Sequence, residues 1–80
     1  MSVKDAVVCR FQGICAERNM RPNELAAVAG VTPSSVYSMM DASRRNISIV
    51  LIKKLCDGLN MTLGEFFSAQ EFDELDQEIV

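Results

Sequence analysis

Four pairs of apolar residues in this 80-residue chain stand five positions apart: Met20/Leu25, Val31/Val36, Ile47/Ile52 and Met61/Phe66. Such a pair forms when the residue before a helix N-cap packs on the fourth helical residue and fixes the angle at which the chain enters the helix. The residue after each first partner stands where the N-cap belongs. Thr32, Ser48 and Thr62 offer the oxygen a cap needs, and Arg21 is a poor substitute. Pro22 and Pro33 follow at the first helical position, where a missing N–H costs nothing. Four helix starts marked alike imply short connections with fixed geometry. No segment alternates with period two over a strand's length. Ile47–Leu51 comes nearest, and the Ser48 cap outweighs it.

Five helices follow. The first runs from about Val3 to Arg18 on the stripe Val7, Phe11, Ile14, and ends near Asn19. The second opens at Pro22, buries Leu25, Ala26 and Ala29, and stops at Gly30, which turns left-handed without a Cβ penalty. The third spans Pro33–Met40 with Val36, Met39 and Met40 inward. Asp41–Asn46 is a polar loop. Ser48 caps a fourth helix with Ile52, Leu55, Cys56 and Leu59 on one face. Thr62 and Glu65 form a capping box that opens a fifth through Phe66 and Phe67. The fold class is all-α.

Charge divides the chain unevenly. Residues 71–80 hold five acids and no base, while residues 1–70 hold all eight bases and six acids, a net +2. The body is mildly basic and the tail is an acidic appendage. The chain has no histidine, no glycine-rich phosphate loop and no metal-ligand spacing. Catalysis, a metal and a cofactor are therefore not expected, nor is a small-molecule ligand. No apolar run has the ~18 residues of a membrane helix, and no basic-then-apolar leader opens the sequence. Cys9, Cys15 and Cys56 are an odd set without a CxxC, each within a helical apolar pattern. They read as small core filler in a reducing, cytoplasmic setting.

The stretch Pro22–Met40 (PNELAAVAGVTPSSVYSMM) has the frame of a helix-turn-helix. Ala26 is the small residue where two short helices cross, Gly30 is the turn, and Leu25, Ala29, Val31, Val36 and Met39 pin both to the body. ELAAVAGVTPSSVYSMM and IKKLCDGLNMTLGEFF resemble the Cro/repressor-like (XRE) helix-turn-helix family, over a span from about Val7 to Phe67. The resemblance implies a five-helix, phage-repressor-like domain that binds double-stranded DNA as a transcriptional regulator, a repressor, and is often dimeric. It also leaves open an antitoxin-like protein-interaction module with little DNA affinity. Pro22 stands where the family usually has a phosphate-contacting Gln, and the third helix is poor in long polar side chains.

A recognition helix presents its N-terminal turns to the major groove. Thr32, Ser34, Ser35, Tyr37 and Ser38 are accordingly the base-edge candidates, and Arg44, Arg45 and Asn46 of the following loop are candidate phosphate contacts. Arg10, Arg18 and Arg21 are not separable from ordinary surface charge. Residues 1–69 read as the DNA-binding domain and 70–80 as an acidic amphipathic tail. Phe72, Leu75 and Ile79 fall on one face of a short helix there. With Phe67 they are candidate contacts of a homodimer, the alternative being that the tail docks on its own core.

Overall fold

The structure, a computed structural model, describes residues 1–79; Val80, the last residue of the acidic tail, lies outside the described residues. It contains α1 (Val3–Glu17), α2 (Pro22–Ala29), α3 (Pro33–Met40), α4 (Ile49–Gly58), α5 (Leu63–Phe67) and α6 (Gln70–Asp73), with no strand among the described residues. The five expected helices are present, and α6 adds a single turn in the tail.

The caps form as the spacing requires. The side-chain oxygens of Thr32, Ser48 and Thr62 each accept backbone N–H groups of the first turn they precede. Arg21 contributes no side-chain cap, but Glu24 compensates by accepting the Arg21 N–H at 3.0 Å. Ser2 and Asp5 build a further capping box at the start of α1.

Helix ends and starts share residues. Asn19, Gly30 and Asn60 take left-handed φ of 53°, 69° and 58°. The residue after each donates back five positions: Met20 to the Cys15 carbonyl, Val31 to Ala26 and Met61 to Cys56, at 2.8–3.1 Å. These are Schellman closures. Met20, Val31 and Met61, partly buried against the core, are also the first members of three of the five-apart pairs. One apolar residue thus closes one helix and sets the entry of the next, which keeps these connections short.

The core is Val7, Phe11, Ile14, Cys15, Leu25, Ala26, Val36, Met39, Ile52, Leu55, Cys56, Leu59 and Phe66. Ala29 is only half-buried, and α4 meets its backbone at Gly58. A Cβ on Gly58 would stand 2.8 Å from the Ala29 N and Cα. This close approach of α4 to α2 was not legible in the sequence. Cys9 departs from the expected core role. It lies on the outer side of α1 and is exposed, two residues and so about 200° around the helix from Val7. Cys15 and Cys56 are buried thiols, and burial raises the pKa of both.

Two cations of α1 and its C-cap arginine reach the ends of other helices. Lys4 Nζ donates to the Asp41 carbonyl at 2.6 Å, beyond α3. Arg10 donates to the Phe66 and Glu65 carbonyls of α5 at 2.9 and 3.2 Å, and Arg18, the C-cap, to the Leu59 carbonyl at the end of α4 at 2.7 Å. None of α3, α4 and α5 has a basic residue in its own last turn.

The tail docks on the body. Phe72 lies 5.8 Å from the Phe66 ring and 5.0 Å from Phe67, centroid to centroid. Glu78 accepts the Val3 N–H at 2.8 Å. The helix expected to carry Phe72, Leu75 and Ile79 stops at Asp73. Carrying it on would set Asp76 and Glu78, with no base, at the negative end of the helix dipole.

Gly58 gives a stability test with an internal control. Gly58→Ala forces backbone apart and should destabilise by about 1–3 kcal/mol. Gly13 lies mid-α1, and a Cβ there would meet nothing within 4 Å. Gly13→Ala should therefore stabilise by about 0.5–1 kcal/mol. Thermal melts of the two variants should move in opposite directions.

Candidate functional site

The third helix begins with a closed hydroxyl network. Thr32 Oγ1 accepts the Ser35 N–H and lies 3.1 Å from Ser34 Oγ and 2.9 Å from Ser35 Oγ. Thr32, Ser34 and Ser35 are therefore linked within the chain. Ser34 and Tyr37 are exposed, Tyr37 at 54%. Ser38 is half-buried, and its hydroxyl makes no hydrogen bond among the described residues.

After α3 the chain turns on Asp41. Its carboxylate accepts both the N–H and the hydroxyl of Ser43, at 2.9 and 2.8 Å, and its carbonyl accepts the Arg44 N–H at 3.1 Å. The Ser43 bonds, backbone first, hold the Asp41 carboxyl below its ordinary pKa. This turn delivers Arg44, Arg45 and Asn46, all exposed. Arg44 Nε stands 4.0 Å from Asp41 Oδ2 across an open surface, a contact of little strength in water.

α3, this turn and the start of α4 border an open cleft of about 340 Å³. Ser34, Ser35, Ser38, Arg44 and Asn46 line it. Five of the eight predicted DNA-contacting residues thus share one concave surface. Thr32, Tyr37 and Arg45 are not part of its lining. Ser48 also lines it, so the N-terminus of α4 borders the cleft, and such a helix end favours anions. Ile47 and Leu51 contribute apolar wall. The sequence marks Ser48 as a cap and the helix N-termini at Pro22 and Ser48 as sources of backbone N–H donors for phosphate. That the Ser48 end borders the α3 hydroxyls depends on the path of the turn, which periodicity does not give.

The basic residues sort by direction. Lys4, Arg10 and Arg18 serve internal carbonyls, and Lys53 pairs with Asp57 one turn along α4. Arg44 lines the cleft, and Arg45 beside it in sequence stays exposed. Of the dimer candidates, Phe67 and Phe72 are half-buried against Phe66 within the chain, Leu75 is half-buried, and Ile79 is 86% exposed. Among the described residues no group of acids, histidines or cysteines could hold a metal ion, and no helix is long and apolar enough to cross a membrane.

Residues 10–71 match the family described as the Cro/C1-type HTH DNA-binding domain. No curated protein and no solved structure matches the chain.

Acid should loosen the caps and the turn together. Hydrogen bonds, first from the backbone and then from the side chains of Ser2, Ser43 and Thr62, lower the carboxyl pKa of Asp5, Asp41 and Glu65 below the ordinary 3.8, 3.8 and 4.5. A depressed carboxyl stabilises the fold fully above its unfolded pKa and loses that contribution as pH falls through the folded value. Denaturant midpoints should be level from pH 7 to about pH 5 and decline below about pH 4. Asp5→Asn, Asp41→Asn and Glu65→Gln together should flatten the acid limb.

Proposed function

The chain belongs to the Cro/C1-type helix-turn-helix DNA-binding domain family, and on that premise we propose that it is a sequence-specific transcriptional repressor that reads the major groove with α3. The observation that carries this reading is the shared cleft, which unites hydroxyls of α3 with Arg44 and Asn46 of the next turn. Base-edge groups and phosphate-binding groups must lie side by side for a helix to sit in a groove while its flank grips the backbone.

The division of labour follows from what each side chain has free. Tyr37 and Ser38 face outward or into the cleft with capacity to bond base edges, and exposed Ser34 can turn its hydroxyl from Thr32 to a base. A serine bonds any base, so preference is modest. Thr32 and Ser35 shape the end of the helix through their own network. Arg44, Arg45 and Asn46 engage phosphates, aided by the N-terminus of α4 at Ser48.

A weak half-site argues for a homodimer. Two modules held rigidly reach successive major grooves about 34–36 Å apart, and their half-site free energies combine. The segment around Leu75 and Ile79 is the proposed contact. A second reading, a protein-interaction module on the same fold, draws on Ile49 and Val50, which are 59% and 60% exposed at the start of α4. Apolar side chains there suit a protein surface better than a phosphate backbone.

Titration and sedimentation test these proposals. In titrations of a duplex selected from random sequence, Arg44→Ala/Arg45→Ala should weaken binding and reduce the log–log salt slope by about 0.9 for each phosphate no longer neutralised. On the same duplex Ser38→Ala should relax sequence preference more than it weakens binding to scrambled DNA; equal losses would assign Ser38 to the backbone. Sedimentation of the full chain should show a dimer that Leu75→Glu/Ile79→Glu converts to monomer. A variant as dimeric as the full chain removes the tail from the interface, and a full chain monomeric at tens of micromolar removes the dimer.

A further inference from the structure

Lys4 occupies a place that its own helix does not favour. It stands in the first turn of α1, the positive end of that helix dipole, where a cation is repelled. It is also 4% exposed, and burial of an ammonium is costly unless it is paired or hydrogen-bonded. Its bond runs across the fold, from Nζ to the carbonyl of Asp41, 37 residues along the chain.

That carbonyl belongs to the C-cap of α3. α1, α2 and α4 end in Schellman closures with a left-handed residue, but α3 runs out through Asp41 in extended backbone, φ −68° and ψ 117°. That left-handed closure is absent here, and Lys4 instead holds the residue at which the chain leaves the helix. The same carbonyl accepts the Arg44 N–H, and the Asp41 side chain holds Ser43. Asp41 is thus the hub of the turn that carries Arg44 to Asn46, and Lys4 is its anchor in the body.

We propose that Lys4 is a positioning residue for DNA binding: its buried ammonium fixes the end of α3 and the Asp41 turn, and so sets where the α3 hydroxyls and Arg44 meet the duplex. This rests on the DNA-binding reading. Lys4 acts through Asp41 and touches no DNA itself.

The test uses the full chain and a duplex selected against it from random sequence. Lys4→Met keeps the aliphatic bulk and removes the donor, Lys4→Arg keeps donor and charge, and Lys4→Gln serves where the Met variant fails to fold. Amide exchange reads the turn without DNA. Loss of one bond to a charged group should speed exchange at Asp41 and Arg44 about tenfold, with Leu25 in α2 unchanged. Affinity for the selected duplex should fall about tenfold, and Lys4→Arg should recover most of both. Unchanged exchange at Asp41 and Arg44 in a folded Met or Gln variant overturns the proposal. It does so even if affinity falls, because that combination marks Lys4 as a direct DNA contact. Restored exchange but no restored affinity in Lys4→Arg also overturns it. If the unaltered chain selects no duplex, the DNA-binding reading fails, and the exchange measurement alone decides whether Lys4 anchors the turn.

Discussion

Helix carboxyl ends leave unpaired carbonyls and negative dipole charge, and at three of them this fold places a cation from one helix or its C-cap. The last carbonyls of a helix lack intrahelical partners and carry the negative end of its dipole. α3, α4 and α5 have no cation of their own there. Lys4, Arg10 and Arg18 each reach the end of a different one. α1 and its C-cap therefore tie down the ends of three helices, and Lys4 ties the Asp41 turn that leads to Arg44 to the body. Arg10 also lies over the Phe66 ring, 5.8 Å from its centroid, so its stem and charge brace the aromatic cluster that seats the tail.

This arrangement changes the meaning of the charge. A body of net +2 is small for a nucleic-acid partner, and three of its eight cations are tied to backbone carbonyls of the chain itself. The field that remains is local rather than global. Arg44 and the N-terminus of α4 gather beside the α3 hydroxyls. The acidic tail rests with Phe72 on the aromatic cluster and Glu78 on the start of α1.

Much of the fold was legible because its signals are local. The five-apart pairs, the Thr32, Ser48 and Thr62 caps and Gly30 each act within one turn of the residues that reveal them. The frame of α2 and α3 and the polar loop after α3 followed directly. What stayed hidden depends on distant partners. Whether a basic residue faces water or a carbonyl is not written in its spacing, so nothing in the sequence separates Lys4, Arg10 and Arg18 from surface charge. Gly58 showed no sign of its contact with Ala29, since nothing in α4 alone marks that point as a crossing. Cys9 resembled core residues by type but sits off the buried stripe. For the site, the serines and arginines were visible by position after the turn, whereas the cleft that unites Ser38, Arg44 and Ser48 required the path of the Asp41 turn.

The most direct check of α3 and its following turn as the DNA-binding surface is a residue-resolved map of duplex contact. Backbone amide shifts of the isotope-labelled full chain would be followed as a selected duplex is added. The largest changes should fall on Ser34, Ser38, Arg44, Asn46 and Ser48, with Phe72 and Leu75 nearly still. Changes concentrated on α5 and the tail, or none at any residue of the cleft at low salt, would contradict that assignment.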